Sequence, residues 1–304
     1  MTSQLMSIAA VERDCGLPKE TLRVWERRYG FPSPLRDAHN ERLYPADQVA
    51  TLRTLRRLIE AGHRPGKVVG RSDLELSRLV GELGDQSGKV IRSETREVLA
   101  RLQAHDAAGL REVLNGVVLR SGLGAFAAEI GPELAEAVGS AWSRGELEIH
   151  QEHLFTEQFT TVLRAAINNA QGAVLPRRRP LVLFSTLPQE PHALGLLMAE
   201  AVFTLEGCLA VSLGVQTPVV EIAAAAKAYN ADILALSFSS AIPSHQALAG
   251  LNDLRALAPA RIEIWAGGAC PGLRAKSGVL VLRELSLIST AVADWRARAL
   301  DAAD

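Results

Sequence analysis

The chain has 304 residues, too many for one ordinary domain, and its 48% hydrophobic and 22% charged content is typical of a globular protein of two or three domains. Its three cysteines are widely spaced and form no CxxC pair, which excludes a disulfide framework and favours a reducing cytoplasm. The net charge of -1 divides into +5 for residues 1–71 (13 Lys+Arg, 8 Asp+Glu) and -6 for the remainder (20 and 26), so a polyanion is a candidate partner of the N-terminal part.

The N-terminal part is predicted to form short helices around a turn. It has no basic and apolar leader typical of a signal peptide. Ser7 can cap a first helix, and a second helix over residues 19–29 begins behind Pro18. Two helices joined by a Gly-containing turn form a helix-turn-helix. The prolines and polar residues of 31–44 indicate a hairpin or wing, and a third amphipathic helix follows over 45–61.

The middle of the chain is predicted to be helical. Residues 72–88 contain three glycines and are interpreted as a linker, and Pro132 should kink or break one of the helices that follow. No run of about 18 uninterrupted apolar residues occurs, so we expect no membrane span. Four helices with short connections favour a four-helix bundle. Their predicted bounds are 89–104, 106–120, 123–142 and 146–171.

The spacing of apolar residues changes after residue 180. Short buried strands then alternate with helices, which predicts a doubly wound, flavodoxin-like parallel sheet with ligands at the carboxyl ends of its strands. The predicted strands are 181–184, 208–213, 233–238 and 262–266, and the predicted helices are 192–205, 218–229 and 244–257. The fold class is therefore multidomain α and α/β. A winged helix-turn-helix head is expected over 1–75, a four-helix bundle over 89–175 and the sheet domain over 178–304.

Basic side chains concentrate on the second helix and in the hairpin. There they can neutralise DNA phosphates, and those near the start of the helix can read base edges. These side chains are Lys19, Arg23, Arg27 and Arg28 on the helix, and Arg36 and Arg42 in the hairpin.

The same region carries a specific motif: Trp25-Glu26-Arg27-Arg28-Tyr29-Gly30, Pro32, Pro34 and Arg42-Leu43-Tyr44. It closely resembles the MerR winged-helix family over about residues 5–70. Members of that family bind double-stranded DNA as dimers. The resemblance implies that the helix faces DNA and that two residues support the wing. The DNA-facing residues would be Lys19, Thr21, Arg23 and Arg27, and the wing residues Arg42 and Tyr44.

Three fragments of the C-terminal part have spacings that fit one binding site. Glu190-Pro191-His192-Ala193-Leu194-Gly195 is followed after 41 residues by Ser237-Phe238-Ser239, and after another 27 by Gly267-Gly268. Each fragment follows or ends a predicted strand. An imidazole suits an axial metal ligand, a neighbouring carboxylate can fix its tautomer, and small residues leave room for a nucleotide tail.

This pattern resembles the cobalamin-binding domain of methionine synthase and certain mutases, which carries Asp-x-His-x-x-Gly, Ser-x-Leu and Gly-Gly at these spacings. Glu190 stands where that family has Asp, and Ser239 stands where it has Leu. The resemblance implies that His192 is the lower axial ligand of cobalt. The expected cofactor-binding residues of this domain are Glu190, His192, Gly195, Ser237, Ser239, Gly267 and Gly268.

The bundle carries a further motif, in which Trp142 is followed after nine residues by Glu152-His153. This motif, together with the order of the three domains, resembles the CarH/LitR-type light-sensing repressors. The resemblance implies that the three residues cover the upper face of adenosylcobalamin. Trp142 would pack against the adenosyl group and Glu152 would hydrogen-bond to it.

One position departs from that family. Several members carry a His directly after the Trp, and it ligates cobalt after photolysis, whereas this chain has Ser143, a poor cobalt ligand. Either another bundle histidine substitutes (His150, His153 or the more distant His105), or water takes the upper position, or the protein is not a light sensor of the usual kind.

The sequence therefore predicts a cytoplasmic cobalamin-dependent transcriptional regulator, a repressor that senses light through adenosylcobalamin held between bundle and sheet. Homo-oligomers, dimers or tetramers, would bind operator DNA, and no membrane partner is expected. The alternatives are a light-independent corrinoid sensor, a regulator with a different or additional tetrapyrrole chromophore, and an interaction module with an empty pocket. A corrinoid methyltransferase or mutase component would need a substrate domain for which no segment remains, so we expect no enzyme.

Overall fold

The computed structural model describes residues 5–37, 40–60, 62–84, 92–173, 178–275 and 278–301. The chain forms two compact units. One unit comprises Met1–Val90 and Ser140–Leu147, and the other comprises Ile91–Gly139 and Glu148–Asp304. The first unit contains the winged helix-turn-helix head, and the second contains the helical bundle and the parallel sheet.

The head consists of short helices around a small antiparallel sheet. Its elements are β1 Leu5–Ser7, α1 Ile8–Cys15, α2 Lys19–Tyr29, β2 Leu35–Arg36, β3 Arg42–Pro45, α3 Ala46–Glu60, α4 Pro65–Val68 and α5 Asp73–Gly84. The strand order is β1-β3-β2, and Met6 pairs with Tyr44 in β3. The helix-turn-helix and its wing are thus present as predicted, while β1 was not predicted.

Local chemistry explains why the head helices begin and end where they do. The Ser7 hydroxyl accepts the Ala10 N–H at 3.3 Å, and α1 ends at Gly16 with φ 64° in the left-handed region that glycine adopts readily. On α2, Leu22 and Trp25 are buried in the head core. The opposite side of α2, which carries most of its basic residues, is exposed.

The linker expected over 72–88 is wrong for the residues that the structure describes, because α5 occupies most of them. The Ser72 hydroxyl accepts the Glu75 N–H at 3.4 Å, and the Glu75 carboxylate accepts the Ser72 N–H at 3.0 Å. This reciprocal pair is a capping box, which stabilises a helix start strongly enough to outweigh the glycines that follow. Residues 85–91 lie outside the described residues.

The bundle is formed by α6 Ser93–Gln103, α7 Ala107–Ala125, α8 Gly131–Ser143 and α9 Ile149–Ala173. The break predicted between its second and third helices lies at Gly122, where φ 77° and ψ 159° interrupt the helical backbone of α7. A π-helical turn, Phe126–Ile130, precedes α8, and the Gly131 N–H donates to the Phe126 carbonyl. Pro132 has no N–H to continue the α-helical ladder, which accounts for an irregular turn at this place.

One stretch of the described helices, Ala107–Ser143, is long and apolar enough to cross a membrane by length and composition alone, and 39% of its apolar window is buried. Core helices of globular proteins pass the same test, and this stretch is interrupted at Gly122 and at the π-helical turn.

The sheet domain alternates parallel strands with helices. Its elements are β4 Arg178–Ser185, α10 Leu194–Leu205, β5 Cys208–Ser212, α11 Val219–Ala228, β6 Ile233–Ser237, α12 Ser244–Leu257, β7 Glu263–Gly267, β8 Val279–Leu282 and α13 Leu287–Asp301. The strand order β5-β4-β6-β7-β8 is the flavodoxin-like order, and it confirms the predicted doubly wound sheet. The last strand and helix, β8 and α13, were not predicted.

Helix α10 is the element that joins the bundle to the sheet domain. It contacts α9, α7 and the π-helical turn on one side and β4, β5 and β6 on the other. Arg164 of α9 forms an ion pair with Glu200 of α10 at 2.8 Å. A Cβ at Gly131 would lie 2.8 Å from the Met198 sulfur, so the absence of a side chain there allows the bundle to approach α10 closely.

Candidate functional site

A buried carboxylate organises the loop between β4 and α10. Glu190 is 1% exposed, and its Oε1 accepts the His192 backbone N–H at 3.1 Å and lies 2.5 Å from His192 Nδ1. Its Oε2 accepts the Ser239 backbone N–H at 2.7 Å. One side chain therefore orients the imidazole and also ties this loop to the loop that follows β6.

The backbone of the same loop is held at its base. The Thr186 hydroxyl donates to the Glu190 carbonyl at 2.6 Å and accepts the Gln216 N–H at 2.8 Å. The Glu190 N–H donates to the Leu187 carbonyl at 2.9 Å. These bonds fix the position of His192, whose side chain is half exposed.

Burial alone raises the pKa of Glu190, because an ionised carboxylate loses its hydration. The hydrogen bonds from His192 and from the Ser239 N–H outweigh burial and leave the pKa of this carboxyl below its ordinary value. Glu190 is therefore ionised at neutral pH, and a carboxylate facing Nδ1 selects the imidazole tautomer whose Nε2 can act as a metal ligand.

Three glycines of the sequence fragments approach neighbouring parts of the sheet domain closely. A Cβ at Gly195 would lie 2.7 Å from the Ser237 hydroxyl, and a Cβ at Gly267 would lie 2.9 Å from the Leu282 carbonyl. Gly268 has φ 108°, and a Cβ there would lie only 2.2 Å from the Phe238 carbonyl. Gly195 of the first fragment and Gly268 of the third thus both lie against the second fragment, and the left-handed φ and close approach at Gly268 favour glycine strongly.

These contacts lie at the carboxyl edge of the sheet, where β4 and β6 are neighbours. After β4 the chain continues through α10 to β5, and after β6 it continues through α12 to β7. Because β5 and β7 lie on opposite sides of the β4–β6 pair, the chain moves in opposite directions across the sheet from these two strands. Such a switch point opens a crevice at the carboxyl ends of the strands, which is where doubly wound sheets bind ligands. The loops that carry His192 and Ser239 flank this point.

The bundle presents a second carboxylate–imidazole pair, at the start of α9. Glu152 Oε2 lies 2.6 Å from His153 Nδ1, and Glu152 Oε1 accepts the Thr156 hydroxyl at 3.0 Å. Thr156, one helical turn after Glu152, was not identified from the sequence, although its i+4 spacing is the signal that could have found it.

The other bundle residues singled out from the sequence make contacts of their own. Trp142 and Ser143 belong to the compact unit of the head. Ser143 is buried and its hydroxyl donates to the Ser140 carbonyl at 2.7 Å. His150 stacks on His105 with ring centroids 5.4 Å apart, and both side chains are exposed.

The head presents part of the expected DNA-binding set on its surface. Lys19, Arg23, Arg27 and Arg28 of α2 and Arg36 of β2 are exposed, and Thr21 is half-buried. Arg28 also lies over the Tyr29 ring, 5.3 Å from its centroid.

Two wing residues act from within the head. Arg42 forms an ion pair with Glu26 at 2.7 Å, which fastens β3 to α2. Tyr44 is fully buried, so burial raises its pKa, and its hydroxyl has no hydrogen-bond partner among the described residues. In this conformation Tyr44 can support the wing but cannot touch DNA. Glu26, missed as a partner by the sequence reasoning, sits in the motif beside Arg27.

The residues of the sheet domain fit a cobalt corrinoid by their donor chemistry. A single imidazole oriented by an ionised carboxylate is suited to axial ligation, and hydroxyl and glycine positions at the switch point suit a polar tail. The Ser239 hydroxyl accepts the Ala241 N–H at 3.3 Å, and the Ser239 backbone N–H donates to Glu190 at 2.7 Å.

Comparisons with known proteins identify a family match and several similar proteins. Residues 6–70 match the MerR HTH family regulatory protein model. The HTH-type transcriptional repressor CarH of Myxococcus xanthus is 30% identical over 260 residues, which cover 84% of this chain and 85% of the relative. The repressor CarA of the same organism is 28% identical over 281 residues, 89% of each chain. The monomethylamine corrinoid protein of Methanosarcina barkeri has a TM-score of 0.48 at 14% identity, over 64% of this chain and 94% of that protein.

Proposed function

Because the chain belongs to the CarH family of MerR-type helix-turn-helix transcriptional repressors, we propose that it is a cobalamin-dependent repressor whose binding to operator DNA is controlled by adenosylcobalamin and by light. The family consists of transcriptional regulators and not of enzymes. The proposal places its action in the cytoplasm, as a homo-oligomer on double-stranded DNA.

The observation that carries the proposal is the Glu190–His192 pair at the switch point of the sheet. Glu190 is buried and ionised, contacts His192 Nδ1 at 2.5 Å and holds the Ser239 loop. His192 would bind cobalt through Nε2. The hydroxyl and glycine positions around it, Gly195, Ser237, Ser239, Gly267 and Gly268, would line the path of the nucleotide tail.

When bound, adenosylcobalamin supplies a cobalt–carbon bond that light can cleave. Trp142, Glu152 and His153 enter the proposal from the sequence resemblance, as the residues that cover its upper face. Glu152 is held by Thr156 and His153, so its carboxylate is already oriented before any ligand binds. The adenosyl moiety would contact these residues only while it is attached to cobalt. Such a contact, made in one state and absent in the other, shifts the population of conformations and can change the oligomeric state.

In the head, exposed basic residues of α2 and β2 would contact DNA. Lys19, Arg23, Arg27, Arg28 and Arg36 would neutralise phosphates or read base edges, with Thr21 beside them. Arg42 and Tyr44 would act indirectly, by fixing the wing to α2 and to the core of the head.

A second candidate function is a sensor of cobalamin supply that does not respond to light. Ser143 favours it, because its hydroxyl is buried and already donates to the Ser140 carbonyl. A hydroxyl in this position does not replace a histidine as a cobalt ligand. Under the light-sensing function, one of His150, His153 and His105, or a water molecule, would have to bind cobalt after photolysis.

The test of cofactor binding is the absorption spectrum of the purified chain mixed with adenosylcobalamin in the dark. We expect a protein-bound corrinoid spectrum for the wild type, and a changed spectrum with weaker binding for His192→Ala. His63→Ala, which removes a histidine of the head, is the matched control and should resemble the wild type. If His192→Ala keeps the wild-type spectrum and affinity, the lower-ligand assignment is wrong. A different tetrapyrrole in the protein as isolated would contradict the choice of cofactor.

The two candidate functions separate under illumination. Light should reduce operator binding if the chain is a photoreceptor, because removal of the adenosyl group ends its interaction with the upper-face residues. Unchanged binding after complete photolysis, in a protein that binds adenosylcobalamin in the dark, would favour the supply sensor.

A further inference from the structure

Helix α8 ends in a turn that belongs to the same compact unit as the head. The segment Ser140–Leu147 contacts that unit, and its Ala141 and Leu147 side chains are buried. Burial of these two side chains restricts the directions in which the other side chains leave the end of α8.

The backbone of this turn is a Schellman ending. Gly145 has φ 76°, and its N–H donates to the Trp142 carbonyl at 2.9 Å. The Glu146 N–H donates to the Ala141 carbonyl, also at 2.9 Å. This pair of bonds closes a helix through a left-handed residue, a conformation that strongly favours glycine.

A basic residue of the head contacts this turn. Arg57 lies in the last turn of α3, and its guanidinium carbon is 5.9 Å from the centroid of the Trp142 ring, within the range of a cation–π interaction. Its Nη1 comes so close to the turn that a Cβ at Gly145 would lie 2.9 Å away. Arg57 therefore meets both the indole and the backbone that follows it.

We propose that Arg57 is a positioning residue for Trp142. Through Arg57, the contact between α3 of the DNA-binding head and the turn after α8 would be coupled to the packing of a ligand against the indole. The inference rests on the proposed function only for the identity of that ligand. An indole has two faces, and a guanidinium held over one of them restricts the rotation of the ring and directs the other face away from Arg57.

Coupling follows from this shared side chain. If a ligand group packs better against the indole in the orientation that Arg57 holds, then ligand binding also stabilises the contact between α3 and the turn. The effect is reciprocal. Linkage requires that the contact raise the ligand affinity by the same factor by which the ligand raises the equilibrium constant for forming the contact. An exposed or half-exposed cation–π contact is worth about two- to five-fold in an equilibrium.

The first experiment needs no cofactor and uses amide hydrogen exchange of the full chain. We expect Arg57→Ala to increase exchange at residues 144–147 and at the end of α3. Arg57→Lys, which retains a cation, should restore part of the protection, and Arg64→Ala, an exposed arginine of the head, should leave it unchanged. Identical exchange in Arg57→Ala and the wild type would overturn the proposal.

The second experiment measures coupling as the ratio of DNA affinity with and without ligand in the dark. Adenosylcobalamin should give a ratio about two- to five-fold smaller in Arg57→Ala than in the wild type. Methylcobalamin has no adenosyl group to pack on the indole, so its ratio should not depend on Arg57. If adenosylcobalamin changes the DNA affinity of the wild type, equal ratios in the wild type and in Arg57→Ala would contradict the inference. If the wild type binds no corrinoid, the proposed function is wrong, and the exchange experiment alone tests the contact of Arg57 with the turn.

Discussion

Glu190 joins two loops whose contacting residues are 49 positions apart in sequence. Its carboxylate meets the imidazole of His192 with one oxygen and the Ser239 N–H with the other. Such hydrogen bonds to a buried charge are stronger than neutral ones. The cobalamin-binding domains that the motif resembles have Asp at the position of Glu190. The contact between Glu190 and His192 shows that Glu also places a carboxylate against the imidazole in this chain.

Glu190→Gln should lower the free energy of unfolding by about 1–3 kcal/mol at pH 7, because hydrogen bonds to a charged group are removed. The folded-state pKa of Glu190 is lowered. Its stabilising effect is therefore complete above the ordinary carboxyl pKa of about 4.3 and is lost as the pH falls through the folded value. Urea unfolding at several pH values measures this. The variant should lose less stability on acidification than the wild type.

Glu157→Gln is the matched control, since Glu157 is exposed on α9. It should change the free energy of unfolding by less than about 0.5 kcal/mol. If Glu190→Gln and this control behave alike, the two oxygens of Glu190 do not stabilise the loops as described.

Gly268→Ala tests the close approach of the third fragment. With φ 108° and a Cβ only 2.2 Å from the Phe238 carbonyl, alanine must shift the backbone, at a cost of about 1–3 kcal/mol or more. Gly139→Ala is the control, because Gly139 is within α8 and a Cβ there meets no atom within 4 Å. It should raise the free energy of unfolding by about 0.5–1 kcal/mol. Opposite signs in thermal or urea unfolding are expected, and a stabilising Gly268→Ala would refute the geometry.

At the scale of elements, α10 connects the loop of His192 to the helix that carries Glu152. It begins at Leu194, directly after that loop, and it packs against α9 along one side. The ion pair between Arg164 and Glu200 joins these two helices, with Glu200 only 7% exposed and Arg164 44% exposed. Replacing Arg164 and replacing Glu200 should therefore lower the free energy of unfolding by different amounts.

Arg164→Ala should be the more damaging substitution. It leaves the buried carboxylate of Glu200 without this partner and should lower the free energy of unfolding by about 1–3 kcal/mol. Glu200→Gln removes the buried charge, keeps an acceptor and leaves an exposed arginine, so its cost should be below about 1 kcal/mol. Urea unfolding of both variants decides the order, and the reverse order would show that Glu200 is hydrated.

Most elements could be predicted from the sequence because local signals determine them. Ser7, Gly16 and Gly122 mark helix ends or breaks by chemistry that needs no tertiary contact. β1 was missed because three residues carry little pattern, and its strand exists through pairing with β3. β8 and α13 were missed because β8 is only four residues long and lies at the sheet edge, although its Val-Leu-Val-Leu run was a usable signal.

The candidate site was partly predictable for the same reason. The spacing of the three fragments, together with strand alternation, placed Glu190, Ser239 and Gly268 at one edge of the sheet. What each atom contacts depends on the packing of loops, so the bond from the Ser239 N–H to Glu190 could not be predicted. The contact between Arg57 and Trp142 joins positions 85 residues apart by number and carries no sequence signal.

At the scale of the whole molecule, a basic head is carried by an acidic remainder, +5 for residues 1–71 against -6 for residues 72–304. This separation predicts that DNA binding depends strongly on salt while cofactor binding does not. It also predicts that single basic residues of α2 can be removed without affecting the sheet domain.

Arg23→Ala should weaken DNA binding and reduce the slope of log affinity against log salt by about 0.9 for each phosphate that the variant no longer neutralises. The spectrum with adenosylcobalamin should stay unchanged. Arg96→Ala, an exposed arginine of α6, is the matched control and should alter neither quantity. A change in the spectrum of Arg23→Ala would show that Arg23 affects the cofactor site as well as DNA binding.

Control of DNA binding by the cofactor is tested by the affinity of the full chain for operator DNA in the dark, measured with and without saturating adenosylcobalamin. The operator can be obtained by selecting duplexes from a random library with the purified chain. Allosteric coupling typically changes affinity about 5–150-fold, and we expect tighter binding with adenosylcobalamin by a factor in this range. The same affinity in both conditions would contradict the claim that the cofactor controls DNA binding.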